Sequence, residues 1–130
     1  MAQYKKVMLV DDNEIDNLIN QEMIRSTNFA NEILVFLTGQ EALAHLAANQ
    51  NDKDSLPEII FLDINMPIMN GFQFLKEFES LSADVQQQCK IIMLSSSISP
   101  KDIDQAASSR YVRKYLNKPL NERYLSAIAI

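Results

Sequence analysis

Five short runs rich in apolar and β-branched residues recur along this chain, and segments with helical spacing separate them. The runs are 6–10, 32–36, 58–62, 90–94 and 111–116. The first, third and fourth are almost continuously apolar, as strands covered on both faces must be. The fifth is weaker and is assigned to a strand mainly by its position. Between the runs, Ile15, Leu18, Ile19 and Met23 follow an i, i+3, i+4, i+8 pattern. Ala42, Leu43, Leu46 and Ala47 form a second stripe behind Thr38, which with Glu41 gives a capping-box signature. Phe74, Leu75, Phe78 and Leu81 form a third stripe after Gly71. Ser99-Pro100-Lys101-Asp102 reads as an N-cap, a proline at the first helical position and an acid in the first turn. The segment 121–130 closes the series through Tyr124, Leu125 and Ile128. All these stripes are expected to face the core. Strand and helix thus alternate five times, which implies a parallel sheet with helices on both faces.

The stretches 49–55 and 82–88 are read as polar surface connections rather than linkers, so the 130 residues are expected to form one domain, 1–130. With 47% hydrophobic and 22% charged residues, the composition is globular and disorder is a poor description. No apolar run approaches the roughly 20 residues needed to cross a bilayer, and the apolar run after Lys6 is too short for a signal-peptide core. Cys89 is the one cysteine and is expected to be a small, partly buried side chain with no disulfide partner. These features point to a cytoplasmic protein. The net charge of −5 is unevenly spread, with five Lys/Arg against fourteen Asp/Glu in 1–89 and seven against three in 90–130. An acidic chain of this kind is poorly suited to general nucleic-acid binding. Its basic last third reads first as a solvated face, with a docking surface as the alternative.

In an open α/β sheet, ligands bind just beyond the carboxyl ends of the strands. Here the first run ends in Asp11-Asp12, the third in Asp63, the fourth in Ser95, and the fifth leads into Lys118. Three carboxylates brought together repel one another and call for a compensating charge. A hard divalent cation with oxygen ligands, Mg²⁺ above all, supplies it. One carboxylate is then free to act as a nucleophile, Lys118 balances an incoming phosphoryl group, and Ser95 donates a hydrogen bond to it. Those are the parts of in-line phosphoryl transfer. Taken singly, Asp11 and Asp12 read as helix caps, 95–97 as a polar serine loop, and Lys118-Pro119 as a turn with or without a cis bond. An unpaired Asp63 after four apolar residues is harder to explain in structural terms alone.

Four segments carry a resemblance: Val10-Asp11-Asp12, the stretch from Phe61 to Gly71, Met93 to Ser97, and Tyr115 to Pro119. In order and spacing they resemble the response-regulator receiver family of two-component signalling over essentially the whole chain. The resemblance implies a flavodoxin-like (βα)₅ fold, doubly wound, with strand order 2-1-3-4-5, and no output domain within these residues. It implies a phosphorylation-dependent switch rather than an enzyme. Asp63 would be the phosphoacceptor, taking its phosphoryl group from a histidine kinase or a phosphotransfer protein. Asp12 would bind Mg²⁺ directly, with Asp11 assisting and the backbone carbonyl of Asn65 as a further ligand. Ser95 would be the switch hydroxyl, Lys118 the phosphate-pairing lysine and Tyr115 the switch aromatic. Phosphorylation would remodel the surface of the last strand and its flanking helices, for docking to a downstream protein, relay or dimerisation. Lys101, Arg110, Arg113, Lys114 and Arg123 would lie there. The sequence departs from the family pattern at Ser95, where Thr is commoner, at Ser108-Ser109-Arg110 in place of a Gly-Ala pair, and at Leu120, where Phe is frequent.

Three other readings use the same residues. A haloacid-dehalogenase-type phosphatase also has a nucleophilic Asp on such a sheet, but wants a second Asp where this chain has Asn65. A histidine phosphotransfer protein would use His45, but five strand-like runs contradict a helical bundle, and His45 is expected to face solvent. A pseudo-receiver would bind a partner without phosphorylation, although every expected site residue is present.

Overall fold

The three runs with unbroken apolar character become the three inner strands of one sheet. The computed structural model describes residues 2–128, so the last two positions of the segment 121–130 lie outside the described residues. In chain order the elements begin with β1 (Tyr4–Val10), α1 (Glu14–Ser26), β2 (Ala30–Phe36), α2 (Gly39–Ala48), β3 (Ile59–Leu62) and α3 (Gly71–Phe78). They continue with α4 (Ala83–Gln88), β4 (Lys90–Ser95), α5 (Pro100–Ala107), β5 (Val112–Asn117) and α6 (Glu122–Ala127). The strands are ordered β2-β1-β3-β4-β5 and every pair is parallel. That is the doubly wound order expected from the resemblance. The weak fifth run is an edge strand, which needs less apolar character than β1, β3 and β4.

Successive side chains of a strand point to opposite faces, and the core divides accordingly. Met8, Val10, Ile60, Leu62, Ile91 and Met93 pack with side chains of α2, α3, α4 and α5. Val7, Leu9, Ile59, Phe61, Ile92 and Leu94 pack on the other face with Ile24 of α1 and Leu125 of α6. Phe61, Phe74 and Phe78 are fully buried, each removing a large apolar surface from water.

Three local expectations need correction. The stripe Ile15, Leu18 and Ile19 does not face the core: these side chains are 67%, 65% and 48% exposed. The inner face of α1 is instead Asn17, Asn20 and Ile24. Its two asparagines bond to backbone, Asn17 Nδ2 donating to the Asp11 carbonyl at 2.8 Å and Asn20 Oδ1 accepting from the Leu120 N–H at 3.0 Å. The stretch 82–88 is not an irregular connection, because Ser82 caps a six-residue helix that buries Val85. Ser99 is the N-cap, followed by Pro100 and with Asp102 in the first turn, as the sequence indicates, although its side chain makes no capping bond; the hydroxyl of Ser97 donates to Asp102 at 2.7 Å. His45 is half-buried, its ring 5.4 Å from that of Phe36 and its Nε2 3.1 Å from the Ser55 carbonyl oxygen. Cys89 is buried, which pushes its thiol up to about 12 and leaves it unreactive.

Candidate functional site

The sheet ladder continues one residue past the ends of β1 and β3 and thereby fixes two aspartates. The Asp11 N–H donates to the Phe36 carbonyl at 3.1 Å, and the Asp63 N–H donates to the Val10 carbonyl at 3.0 Å. Asp11 and Asp63 are consequently buried, at 4% and 5% exposure, while Asp12 is exposed. One carboxylate oxygen from each of Asp11, Asp12 and Asp63 lies within 4.8 Å of the other two. Helix capping is left to Asn13, whose side chain accepts from the Asp16 N–H, so the adjoining aspartates are not consumed as caps. Asp11 Oδ1 accepts from the Asn13 N–H at 2.9 Å.

The loop after β3 is shaped by close backbone approach. Gly71 opens α3 and donates its N–H to the Ile64 carbonyl at 2.8 Å. A Cβ at this position would stand 2.6 Å from the backbone oxygen of Asp63, so only glycine fits. Asn70 and Gln73 exchange capping bonds of 2.9 Å in each direction and hold the helix start in register. Asn65 is exposed on this loop, two residues beyond Asp63.

Lys118 enters from the opposite edge. Its backbone N–H donates to the Ser95 carbonyl at 3.0 Å, and the Lys118–Pro119 peptide bond is cis. Its Nζ lies 2.6 Å from Asp11, 2.9 Å from Asp16 and 3.5 Å from Asp63. Burial by itself would lower the Lys118 pKa, but hydrogen bonds to Asp11 and Asp16 and the charge of Asp63 raise it overall, so the ammonium keeps its proton. Asp63 is pushed up to about 6, first by burial and then by the charge of Asp11, with Lys118 opposing both.

Ser95 is fully buried, and its hydroxyl oxygen accepts from the Ser97 N–H at 3.1 Å. Tyr115 is half-buried and donates its hydroxyl to the Ser97 carbonyl at 2.8 Å. Asn117 Nδ2 reaches the same carbonyl at 3.2 Å. Of the residues singled out from sequence, Asp11, Asp12, Asp63 and Lys118 converge directly. Ser95 and Tyr115 belong to the adjoining loop network, and Asn65 stands at the exposed rim. Sequence reasoning missed Asp16 and Asn117. Asp16 stood one helical turn after Asp12, which was a usable signal; Asn117 had none.

The donor set is three carboxylates with no nitrogen or sulfur, which fits a hard divalent cation and disfavours zinc or copper. The arrangement places a buried, desolvated carboxylate beside an ammonium and in a carboxylate cluster that could hold a cation, a combination suited to phosphoryl transfer.

Comparison with known proteins shows the family and the fold. A family model described as the response regulator receiver domain matches residues 7–129. A two-component response regulator from Cytophaga hutchinsonii has a similar solved structure, 33% identical, with a TM-score of 0.87, covering 94% of this chain and 91% of that one. The response regulator Rcp1 of Synechocystis is 27% identical over 90% of this chain and 78% of its own length. The solved Mn²⁺-bound form of Rcp1 superposes with a TM-score of 0.74 at 26% identity, covering 93% of this chain and 86% of that one. The phosphorylated cyanobacterial phytochrome response regulator RcpA is 30% identical with a TM-score of 0.73, covering 94% of this chain and 86% of that one.

Proposed function

This chain belongs to the response regulator receiver family, and we propose that it is a signalling switch whose phosphoacceptor is Asp63. The phosphoryl group comes from a phosphohistidine on a sensor histidine kinase or a phosphotransfer protein. As the bond from an Asp63 carboxylate oxygen to phosphorus forms, the P–N bond breaks and its electron pair returns to the imidazole. The product is an acyl phosphate. The observation that carries this reading is the burial of Asp63 beside Asp11, Asp12 and Lys118, which leaves its carboxylate raised to about 6 and poorly solvated.

Asp11, Asp12 and Asp63, with the Asn65 backbone carbonyl, are the residues that would hold Mg²⁺. Bound there, the ion supplies charge neutralisation for the phosphoryl oxygens. Similarity to Rcp1, which has been solved in a Mn²⁺-bound form, supports binding of a divalent cation. Lys118 pairs with the phosphoryl group from the other side. The Ser95 hydroxyl, whose oxygen now accepts from the Ser97 N–H, donates its proton to a phosphoryl oxygen. Tyr115 follows, because its hydroxyl is tied to the same loop through Ser97. The switch then alters the surface of α5, β5 and α6, where Lys101, Arg110, Arg113 and Arg123 are exposed and Lys114 is half-buried. That surface serves a downstream protein or a second copy of the chain. The protein is a phosphoacceptor that takes part in its own transfer and hydrolysis, and we place it in the cytoplasm. Among the described residues no helix is long and apolar enough to cross a membrane.

The test is incubation with Mg²⁺ and acetyl phosphate followed by intact mass spectrometry. One phosphoryl group is expected on the wild type and none on Asp63→Asn or in EDTA. Addition to Asp63→Asn would place the acceptor elsewhere. No addition, with a panel of histidine kinases as well, would leave a binding module that works unmodified.

A further inference from the structure

The Lys118 ammonium is shared among carboxylates that have unequal claims on it. Asp11 and Asp63 belong with Asp12 to the oxygen triangle suited to a cation. Asp16 stands outside that triangle, in the first turn of α1, with its backbone N–H held by the capping side chain of Asn13. Its Oδ2 lies 2.9 Å from Lys118 Nζ, closer than Asp63 at 3.5 Å. The Asp16 side chain is 33% exposed and that of Lys118 is 11% exposed, so the pair sits at the mouth of the site. Asp16, Ile19, Asn20, Lys118 and Pro119 also line a cleft of about 250 Å³ between α1 and the end of β5.

A cation in the triangle offsets the charge of Asp11 and Asp63 and leaves Asp16 as the full anionic partner of the ammonium. A phosphoryl group on Asp63 then competes for that ammonium. We propose that Asp16 is a positioning residue for Lys118, holding the ammonium toward α1 until the phosphoryl group on Asp63 takes it over. This rests on the phosphoacceptor reading above and extends the switch to a helix outside the α5–β5–α6 surface. Phosphorylation releases Asp16 and changes the wall of the α1 cleft.

A double-mutant cycle with Asp16→Asn and Lys118→Met tests this, because it isolates what Asp16 does through Lys118. At saturating Mg²⁺, Asp16→Asn should speed phosphorylation by acetyl phosphate about fivefold, the size of a partly exposed ion pair. Asp16→Glu, which keeps the charge, should stay within about twofold of wild type, and Asp16→Asn should change the Lys118→Met rate by no more than about twofold. Equal acceleration in both backgrounds would make Asp16 a general field charge and overturn the proposal. So would an unchanged or slower single variant.

The second arm is the Mg²⁺ dissociation constant by calorimetry with no phosphodonor. Without Asp16 the ammonium falls back on Asp11 and Asp63, so Asp16→Asn should weaken Mg²⁺ binding about fivefold with Lys118 present. With Lys118→Met the weakening should be under about twofold, and equal weakening in both backgrounds counts against the proposal. If the wild type binds Mg²⁺ yet takes up no phosphoryl group, the switch reading fails, and the calorimetric cycle alone decides the role of Asp16.

Discussion

The Tyr115 hydroxyl donates to the backbone carbonyl of Ser97 at 2.8 Å, fastening β5 to the loop that leaves β4. Tyr115→Phe keeps the ring and removes this bond. The expected cost is about 1 kcal/mol, the usual net value of one neutral hydrogen bond. Because Asn117 reaches the same carbonyl, the loop should loosen rather than detach. Amide hydrogen exchange at 96–99 should quicken while the rest of β4 is unchanged. Unaltered exchange in that loop would show that Tyr115 does not hold it.

Asp63 titrates at about 6 in the folded chain against an ordinary value of 3.8. The folded protein therefore keeps this proton to higher pH than the unfolded chain does. Stability from this group is fully present below the unfolded value and is lost as pH rises through the folded one. In EDTA, Asp63→Asn should match wild type near the ordinary carboxylate value and exceed it by about 3 kcal/mol well above the folded one, at 1.36 kcal/mol per pKa unit. Urea denaturation at a series of pH values reads the difference. A gain independent of pH would mean that something other than ionisation separates the two proteins.

Gly71→Ala places a methyl group against the backbone oxygen of Asp63. Backbone cannot swing aside as a flexible side chain does, so the loop after β3 must shift. A loss of about 1–3 kcal/mol is expected, as for overpacking elsewhere, and acetyl-phosphate labelling should slow with it. A destabilised protein that labels at the wild-type rate would show that the shift stops short of the Asp63 carboxylate.

The two faces of α1 should behave oppositely. Leu18→Ser alters an exposed side chain and should change stability by no more than about 0.5 kcal/mol. Ile24→Ala empties a fully buried position and should cost about 2–5 kcal/mol. Comparable losses would return the Ile15-Leu18-Ile19 stripe to the core.

What the sequence made legible is what lies along a single run of residues. The continuous apolar character of β1, β3 and β4 marked inner strands, and the first polar residue after each marked the functional edge of the sheet. Asp11-Asp12, Asp63 and Ser95 stand at those ends, whereas Lys118 was reached only through the weaker fifth run, placed by its position in the series. The face presented by α1 was not legible, because hydrophobic spacing assumes that helices bury apolar residues. Asn17 and Asn20 are buried by bonds to backbone atoms, one of them 100 positions away. The helix at 83–88 has a single buried side chain, Val85, and so carries no periodic signal. Asp16 was visible as a residue, but its function depends on where the ammonium of Lys118 arrives, 102 positions later.

Those two long separations have a consequence for how the protein comes into being. The first helix is joined to the residues after β5 twice, through Asp16 with Lys118 and through Asn20 with Leu120. A chain emerging from the ribosome will have made β1 through β4, with Asp11, Asp12 and Asp63, well before the Lys118 ammonium appears. Closing so long a loop is slow compared with local helix formation. Closure of this site therefore waits for residue 118, and a nascent chain halted before it carries the Asp63 carboxylate without the lysine that lies 3.5 Å away.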